Sequence, residues 1–268
     1  MRDESLARVD LIREKLPDKY KNIDIFGYDM TTSTNALALE FAKGEGACTD
    51  VAIFIADGQT AGRGRLGRSF LSPKGHGIYL SILTKVESGT SPVGVTTYAA
   101  VVAARVIEDL TGLTPSIKWV NDIYLGGRKV AGILTQGVTE PSGRLTHAVM
   151  GIGINVYGEL VSEELASIAT TIEHEARISG TPVQLSRTEI VARLITEYLD
   201  NLGSVGRIEL ADEYRRRSFV IGKKVTVHTP NGTYPATVTG INDACELILL
   251  LDSGEEKTLG TGEVSIRL

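Results

Sequence analysis

Between residues 116 and 156 the chain reads as strand, turn and strand again with little else, and this constrains the fold more than any other stretch. The runs "SIKWV", "DIYL", "RKV" leading into "AGILTQGV", and "LTHAVMGIGINV" are rich in apolar and β-branched residues, and Gly126-Gly127 separates two of them. Two glycines between strand-like runs supply the positive φ angles that a two-residue hairpin demands. The region from about 116 to 156 is therefore predicted as an antiparallel meander, against which the rest of the large domain must pack.

The flanking segments supply further strands and helices. A first helix is predicted over residues 5–16, stopped by Pro17, followed by a strand in "IDIFGYD" and a helix in "ALALEFAKG" that ends on Gly44. The run "VAIFIAD" at 51–57 is continuously apolar, which implies burial on both faces. After the strand "GIYLSILTKV", the segment "TTYAAVVAARVIEDLTG" places Ala99, Val102, Ala103, Val106 and Leu110 in one apolar stripe at helical spacing, closed by Gly112. Helices are expected again over 162–176 and 187–202, the second opened by a Ser186–Glu189 capping box. The large domain is α+β, a mixed sheet with one helical face. After Arg217 the texture changes to alternating apolar and polar residues with turns at Asn231-Gly232 and Ser253-Gly254, as in a small all-β barrel. The expected domains are 1–217 and 218–268.

Composition excludes several classes. A formal net charge of −5 lacks the basic balance of a general duplex-binding protein. Nothing approaches the eighteen consecutive apolar residues of a membrane span, and "MRDESLARVDLIREKL" has no signal-peptide apolar region. Cys48 and Cys245 form neither a disulfide framework nor a C-x-x-C site, and the four histidines show no metal-ligand spacing. A cytosolic protein without a structural metal is the expectation.

Three stretches can carry chemistry. "GQTAGRGRLGR", residues 58–68, holds four glycines and three arginines directly after an apolar strand. Glycine loses the most freedom on ordering, so a loop this loose is best explained by a ligand that orders it. Guanidinium forks at Arg63, Arg65 and Arg68 suit a phosphate or carboxylate. Gly62, Gly64 and Gly67 spell G-x-G-x-x-G, but Pro73, Gly75 and Gly77 cannot continue the helix that a dinucleotide fingerprint needs. "TTSTN" (31–35) offers hydroxyls and a carboxamide that either cap a helix or meet a polar head group. "KWVND" (118–122) holds the only tryptophan and is read either as a buried strand end with an Asn-Asp turn or as part of a site. Lys129, seven residues past Asp122, is either an edge lysine reaching water or a cation awaiting an anionic ligand.

Taken together, "STN" (33–35), "GQTAGRGRLGR" (58–68), "KWVND" (118–122), "RKVAGIL" (128–134), "GIGINV" (151–156) and the closing "GEVSIR" resemble the biotin protein ligase family, in order and over nearly the whole chain. The resemblance implies a class II synthetase-like catalytic domain, shared with lipoate ligases, and a C-terminal SH3-like domain. It implies synthesis of biotinyl-5′-AMP from biotin and ATP with Mg²⁺, then transfer of biotin to a lysine of a biotin carboxyl carrier protein. By resemblance Ser33, Thr34, Asn35, Gln59, Arg63, Gly64, Arg65, Lys129 and Gly132 bind biotin. Arg65, Arg68, Phe70, Asn121 and Asn155 bind the nucleotide. Lys129, Arg65 and Asp122 are the implied catalytic residues, with Asp122 beside the magnesium. The arginine loop is then a lid whose ordering excludes water from a hydrolysable anhydride.

Four positions depart from the family's usual pattern: Val120 for proline, Leu66 for a basic or polar residue, Phe70 for tryptophan and Gln136 for glutamate. Some relatives begin with a DNA-binding helix-turn-helix; here the catalytic region starts almost at once, so the expectation is a cytoplasmic ligase without DNA or membrane partners, with monomer and dimer both open because many relatives dimerise. A lipoate or octanoate ligase or transferase of the same fold and a non-catalytic binding module are the rival readings.

Overall fold

A mixed seven-stranded sheet organises the large domain in the computed structural model, which describes residues 5–44, 49–87, 90–140, 142–158, 163–181, 183–229 and 232–266. Its strands are β1 (Asp24–Tyr28), β2 (Val51–Ala56), β3 (Gly77–Lys85), β4 (Ser116–Lys118), β5 (Asp122–Leu125), β6 (Arg128–Thr139) and β7 (Leu145–Asn155). They lie in the order β1-β2-β3-β7-β6-β5-β4. Only β1 and β2 run parallel; every other pair is antiparallel. The expected meander is β4 to β7, and its Gly126 and Gly127 take φ angles of 54° and 79° at the β5–β6 turn, a conformation that costs glycine little.

Both faces of β2 are covered, as its unbroken apolar run requires. Ile53 and Ile55 join the main core with α1 (Val9–Lys15), α3 (Pro92–Thr111), α6 (Arg187–Asp200) and α7 (Ile208–Arg217), while Ala52 and Phe54 belong to a second core with Ala38 and Ala42 of α2 (Thr34–Lys43). The expectation of one helical face is therefore corrected: α2 lies on the other face of the sheet. Its apolar side is built from alanines and an aromatic group in which Phe26 stacks on Phe54 with ring centroids 4.9 Å apart.

Helix boundaries follow their caps. The stripe predicted from residue 96 starts earlier, where Ser91 accepts a bond from Val93 N (3.2 Å) and Pro92 fills the first position. Ser186 caps α6 by accepting from Glu189 N at 3.2 Å. The first helix is shorter than its predicted span. The helix expected over 162–176 is two, α4 (Glu163–Ile168) and α5 (Ile172–Ile178), because Thr170 N donates to Lys129 O at 2.8 Å and Thr171 caps α5. A tertiary bond to a neighbouring strand breaks the helix there. Helix α7 falls in a stretch that the sequence reading left without an element.

The C-terminal segment forms an antiparallel sheet of β8 (Lys224–Thr229), β9 (Gly232–Ile241), β10 (Leu247–Leu250), β11 (Glu256–Leu259) and β12 (Glu263–Ile266), ordered β11-β10-β9-β8-β12. Asn231 of the predicted β8–β9 turn, and Cys48, lie outside the described residues. This sheet is tied to the large domain by the Trp119 indole donating to Cys245 O (2.9 Å) and by Arg215 Nε donating to Ile241 O (2.8 Å).

Candidate active site

Strand register lines up one row of residues across all seven strands: Tyr28, Ala56, Tyr79, Gly153, Gly132, Asp122 and Lys118. Residues in register share a face and stand about 4.5–5.5 Å from their neighbours. Two glycines in the middle of such a row leave bare backbone, a trough with charged residues at one end and an aromatic one at the other. The next row on this face runs Phe26, Phe54, Ser81, Gly151 and Leu134, so a third glycine extends the trough.

Side chains from elsewhere lie in that trough and account for the glycines. A Cβ on Gly151 would collide with the Asn35 carboxamide, and one on Gly153 with the Phe70 ring. On Gly132 it would stand 3.0 Å from Lys129 Nζ. Each glycine thus admits one group whose identity the sequence reading had already singled out.

The N-terminus of α2 closes one end. Ser33, Thr34 and Asn35 are buried. Gln59 Oε1 accepts from Thr34 N at 2.9 Å, and Gln59 Nε2 donates to Ser72 Oγ at 3.0 Å. Asn35 Nδ2 donates to Leu134 O and Gln136 Oε1, each at 3.1 Å, while its Oδ1 lies 2.6 Å from Ser81 Oγ. Gln136, where glutamate is usual, therefore serves as an acceptor on Asn35. Ser81, which periodicity had marked only as a strand residue, is part of this network because register places it opposite Gly151.

The glycine-arginine loop folds back on itself over the trough. Phe70 N donates to Gly62 O (2.9 Å) and Gly64 N to Arg68 O (2.7 Å). Leu66 at φ 55° and Gly67 at φ 75° make the reversal. Arg63 and Arg68 are exposed, whereas Arg65 is half-buried. Arg65 donates to Asn121 Oδ1 at 3.3 Å and to Gly262 O of the C-terminal sheet at 2.8 Å. One arginine of the loop is therefore bound to both domains.

At the charged end, Lys129 Nζ lies 2.7 Å from Asp122 Oδ1. The contact is an ion pair without hydrogen-bond alignment, and that buried oxygen has no hydrogen-bond donor. Asn121 Nδ2 donates to Ile133 O at 2.9 Å, and Tyr214 Oη donates to Val120 O at 3.1 Å. The two residues that lead into Asp122 are thus held in place. The Trp119-Val120 peptide is cis.

These groups surround a cleft at the end of the glycine trough. Of the residues named from the sequence, Ser33, Thr34, Asn35, Gln59, Arg63, Gly64, Arg65, Arg68, Phe70, Asn121, Asp122, Lys129 and Gly132 line it. Asn155 does not. It lines a neighbouring, more apolar cavity that shares Ser69, Phe70 and Lys129 with the first, and its Nδ2 donates to Thr170 O at 3.2 Å. Phe70 borders both. Tyr79 in the second cavity donates to Pro73 O at 3.0 Å, and burial pushes its phenol well above the usual range, so it stays a neutral donor. The sequence reading missed Lys118, Trp119 and Val264 as wall residues of the first cleft, although all three sit inside stretches it had quoted.

Residues 28–155 match the Biotin/lipoate A/B protein ligase family and residues 220–267 the Biotin protein ligase C terminal domain. The chain is 32% identical to the biotin–[acetyl-CoA-carboxylase] ligase of Mycobacterium tuberculosis, over 80% of this chain and 77% of that protein. It is 30% identical to the bifunctional ligase/repressor BirA of Bacillus subtilis, over 85% of this chain and 69% of BirA. Among solved structures, the biotin protein ligase of Aquifex aeolicus in complex with biotin and ATP superposes with a TM-score of 0.73 at 26% identity, covering 91% of this chain and 98% of that one. With both domains matched and the glycine trough intact, the chain belongs to the biotin protein ligase family.

Proposed function

We propose that this chain is an ATP-dependent biotin protein ligase that makes biotinyl-5′-AMP and passes biotin to a lysine of a biotin carboxyl carrier protein. The observation that carries the reading is the charge of the cleft. Among the described residues that line it, five cations, Arg63, Arg65, Arg68, Lys118 and Lys129, stand beside one carboxylate, Asp122. Such an excess of cations requires an anionic ligand to balance it, and a polyphosphate meeting a carboxylate supplies two.

In this reading the biotin ring lies in the glycine trough with Ser33, Thr34, Asn35 and Gln59 at its polar end, and Arg63 and Gly64 close over it. Gly132 admits Lys129 to the place where carboxylate and α-phosphate meet. A carboxylate oxygen attacks the α-phosphorus, the α–β bridging P–O bond breaks, and pyrophosphate leaves with the electron pair. Lys129 neutralises the charge that accumulates between the two anions. Arg65, Arg68, Asn121 and Phe70 hold the nucleotide, whose base extends past Phe70 toward Asn155. In the second step the carrier lysine's amine attacks the acyl carbon and AMP leaves.

Magnesium carried on the nucleotide fits this donor set. Asp122 is the one carboxylate among the described residues lining the cleft, and magnesium is commonly held by one or two carboxylates plus substrate phosphates. Asp122 would hold it, and when bound it neutralises phosphate charge. The same reading makes the chain a cytoplasmic enzyme acting on a carrier protein, and among the described residues no helix is long and apolar enough to cross a membrane.

Pyrophosphate release with ATP and biotin, lipoate or octanoate tests the reading. Release with biotin, and biotin appearing on a carrier domain, is expected; release with lipoate or octanoate alone makes the chain a ligase for that acid, and release with none leaves a binding module.

A further inference from the structure

The cleft holds a cation that neither the motif reading nor the mechanism above uses. Lys118 is the last residue of β4, the edge strand of the sheet, and stands in register with Asp122 on the cleft face. Its strand neighbour Ile117 is fully buried and points the other way into the core, and Trp119, which follows it, is 2% exposed. Their backbone surroundings are pinned: Phe219 N donates to Ile117 O at 3.2 Å, and the Trp119 indole donates to Cys245 O at 2.9 Å. Lys118 is therefore held by its strand against the cleft while its side chain stays half-buried.

Among the described residues Lys118 Nζ has no ion pair and no hydrogen bond. Asp122, its neighbour in the row, is taken by Lys129 at 2.7 Å. Two lysines thus flank one carboxylate, one paired and one not. The paired one reaches inward over Gly132 toward the trough. The unpaired one stands at the outer end of the same row, two strands away from Gly132, on the side where Arg65 meets Gly262. A half-buried ammonium without a counter-charge is a binding site for an anion.

Resting on the ligase reading, we propose that Lys118 binds the leaving pyrophosphate. The two lysines then divide the work: Lys129 acts where the new P–O bond forms, and Lys118 receives the negative charge that moves onto pyrophosphate as the α–β bridging bond breaks. In the reverse direction Lys118 holds pyrophosphate while one of its oxygens attacks the α-phosphorus of biotinyl-AMP and biotin leaves as its carboxylate. Transfer of biotin from biotinyl-AMP to a carrier lysine involves no pyrophosphate, so Lys118 has no part in it.

This asymmetry gives the test. Isotope exchange between pyrophosphate and ATP, with biotin present, is measured for the wild type, Lys118→Gln and Lys118→Arg. Biotin transfer from synthetic biotinyl-AMP to a carrier domain is measured alongside. For Lys118→Gln the half-saturating pyrophosphate concentration should rise at least about tenfold, the scale of one lost charge-assisted contact, with transfer unchanged within about twofold. Lys118→Arg, which keeps the charge, should restore most of the pyrophosphate dependence. The proposal is overturned if Lys118→Gln exchanges with unaltered pyrophosphate dependence, or if transfer falls in step with exchange, which marks a structural role. A wild type that exchanges pyrophosphate with no acid overturns the ligase reading, and this inference with it.

Discussion

The two walls of the cleft are built on opposite plans. The floor is strand: Gly132, Gly151 and Gly153 lie in a register shared by four or more strands, and its cation, Lys129, is paired with Asp122 at 2.7 Å. The roof is loop: residues 58–68 carry two exposed arginines and a leucine that is 71% exposed, joined by a few backbone bonds. Charge on the floor is fixed before any ligand arrives. On the roof Arg65 is already held by Asn121 and Gly262, while the exposed Arg63 is left for a ligand to gather. A fixed cation stabilises charge that develops during reaction without reorganising, whereas a gathered one spends binding energy on its own ordering. On the proposed reading the floor governs rate and the roof governs retention.

Lys129→Gln breaks the floor and should have the largest effect. Glutamine can still donate to Asp122, so the variant should fold and bind biotin within about tenfold of wild type. Biotinyl-AMP formation should slow at least ~100-fold, about 2.7 kcal/mol, the scale of one lost preorganised donor. Transfer from supplied biotinyl-AMP should survive. Near wild-type adenylation in single-turnover assays would reduce Lys129 to a strand lysine paired with an aspartate.

Arg63→Ala breaks the roof. Its guanidinium is exposed and free to engage a ligand, and losing a charge-assisted contact costs about 1.5–3 kcal/mol. Biotinyl-AMP should escape roughly ten- to a hundredfold faster, with little change in the rate of its formation on the enzyme. A stopped-flow chase of the bound intermediate reads this directly; a slowed chemical step with unchanged escape would reverse the division between the walls.

A third variant asks what keeps the floor fixed. Tyr214 holds Val120 O, and its neighbour Glu213 bridges Arg105 of α3 and Arg217, the latter with Arg217 Nε 3.0 Å from Glu213 Oε1. Burial pushes the Glu213 carboxyl up, but the hydrogen bonds from Arg105 and Arg217 outweigh it and hold it below the usual range. A carboxylate with a depressed folded value stabilises above its unfolded pKa of about 4.3 and loses that contribution as pH falls through the folded value. Glu213→Gln should cost about 2 kcal/mol at neutral pH, and its stability should depend less on pH below about 4.3 than the wild type's. Parallel acid-unfolding curves for the two proteins would remove this clamp.

How legible these walls were in the sequence differs for the same physical reason. The loop is local, so its glycines and arginines stood side by side in "GQTAGRGRLGR". The meander was local too, and Gly126-Gly127 announced it. The rows across the sheet were not, because register depends on which strands pair, and Lys118 and Ser81 acquire meaning only opposite Asp122 and Gly151. Helix α2 was read correctly as a helix, but nothing in its alanines told which face of the sheet it covers. The helix predicted over 162–176 is cut by a bond from Thr170 N to Lys129 O, a contact forty residues away in the chain that no local pattern encodes.

The smallest effect sharpens the comparison most finely, at Leu66. A non-glycine residue in the left-handed region costs roughly 1–2 kcal/mol, and Leu66 sits there at φ 55° while hiding little of its side chain. So exposed a side chain has little packing to offset that cost. Asparagine tolerates the left-handed region and adds no backbone freedom to the unfolded chain. Leu66→Asn should therefore stabilise the protein by up to about 1 kcal/mol, a rise in Tm of roughly 2–4 °C for a chain of this size. Adenylation and retention should stay within about twofold, since the side chain projects away from the cleft that Arg65 and Arg68 line. A calorimetric melt together with the chase used for Arg63→Ala decides it. If retention falls while Tm rises, the leucine packs against the ligand in the closed state, and the roof is more finely built than its open form shows.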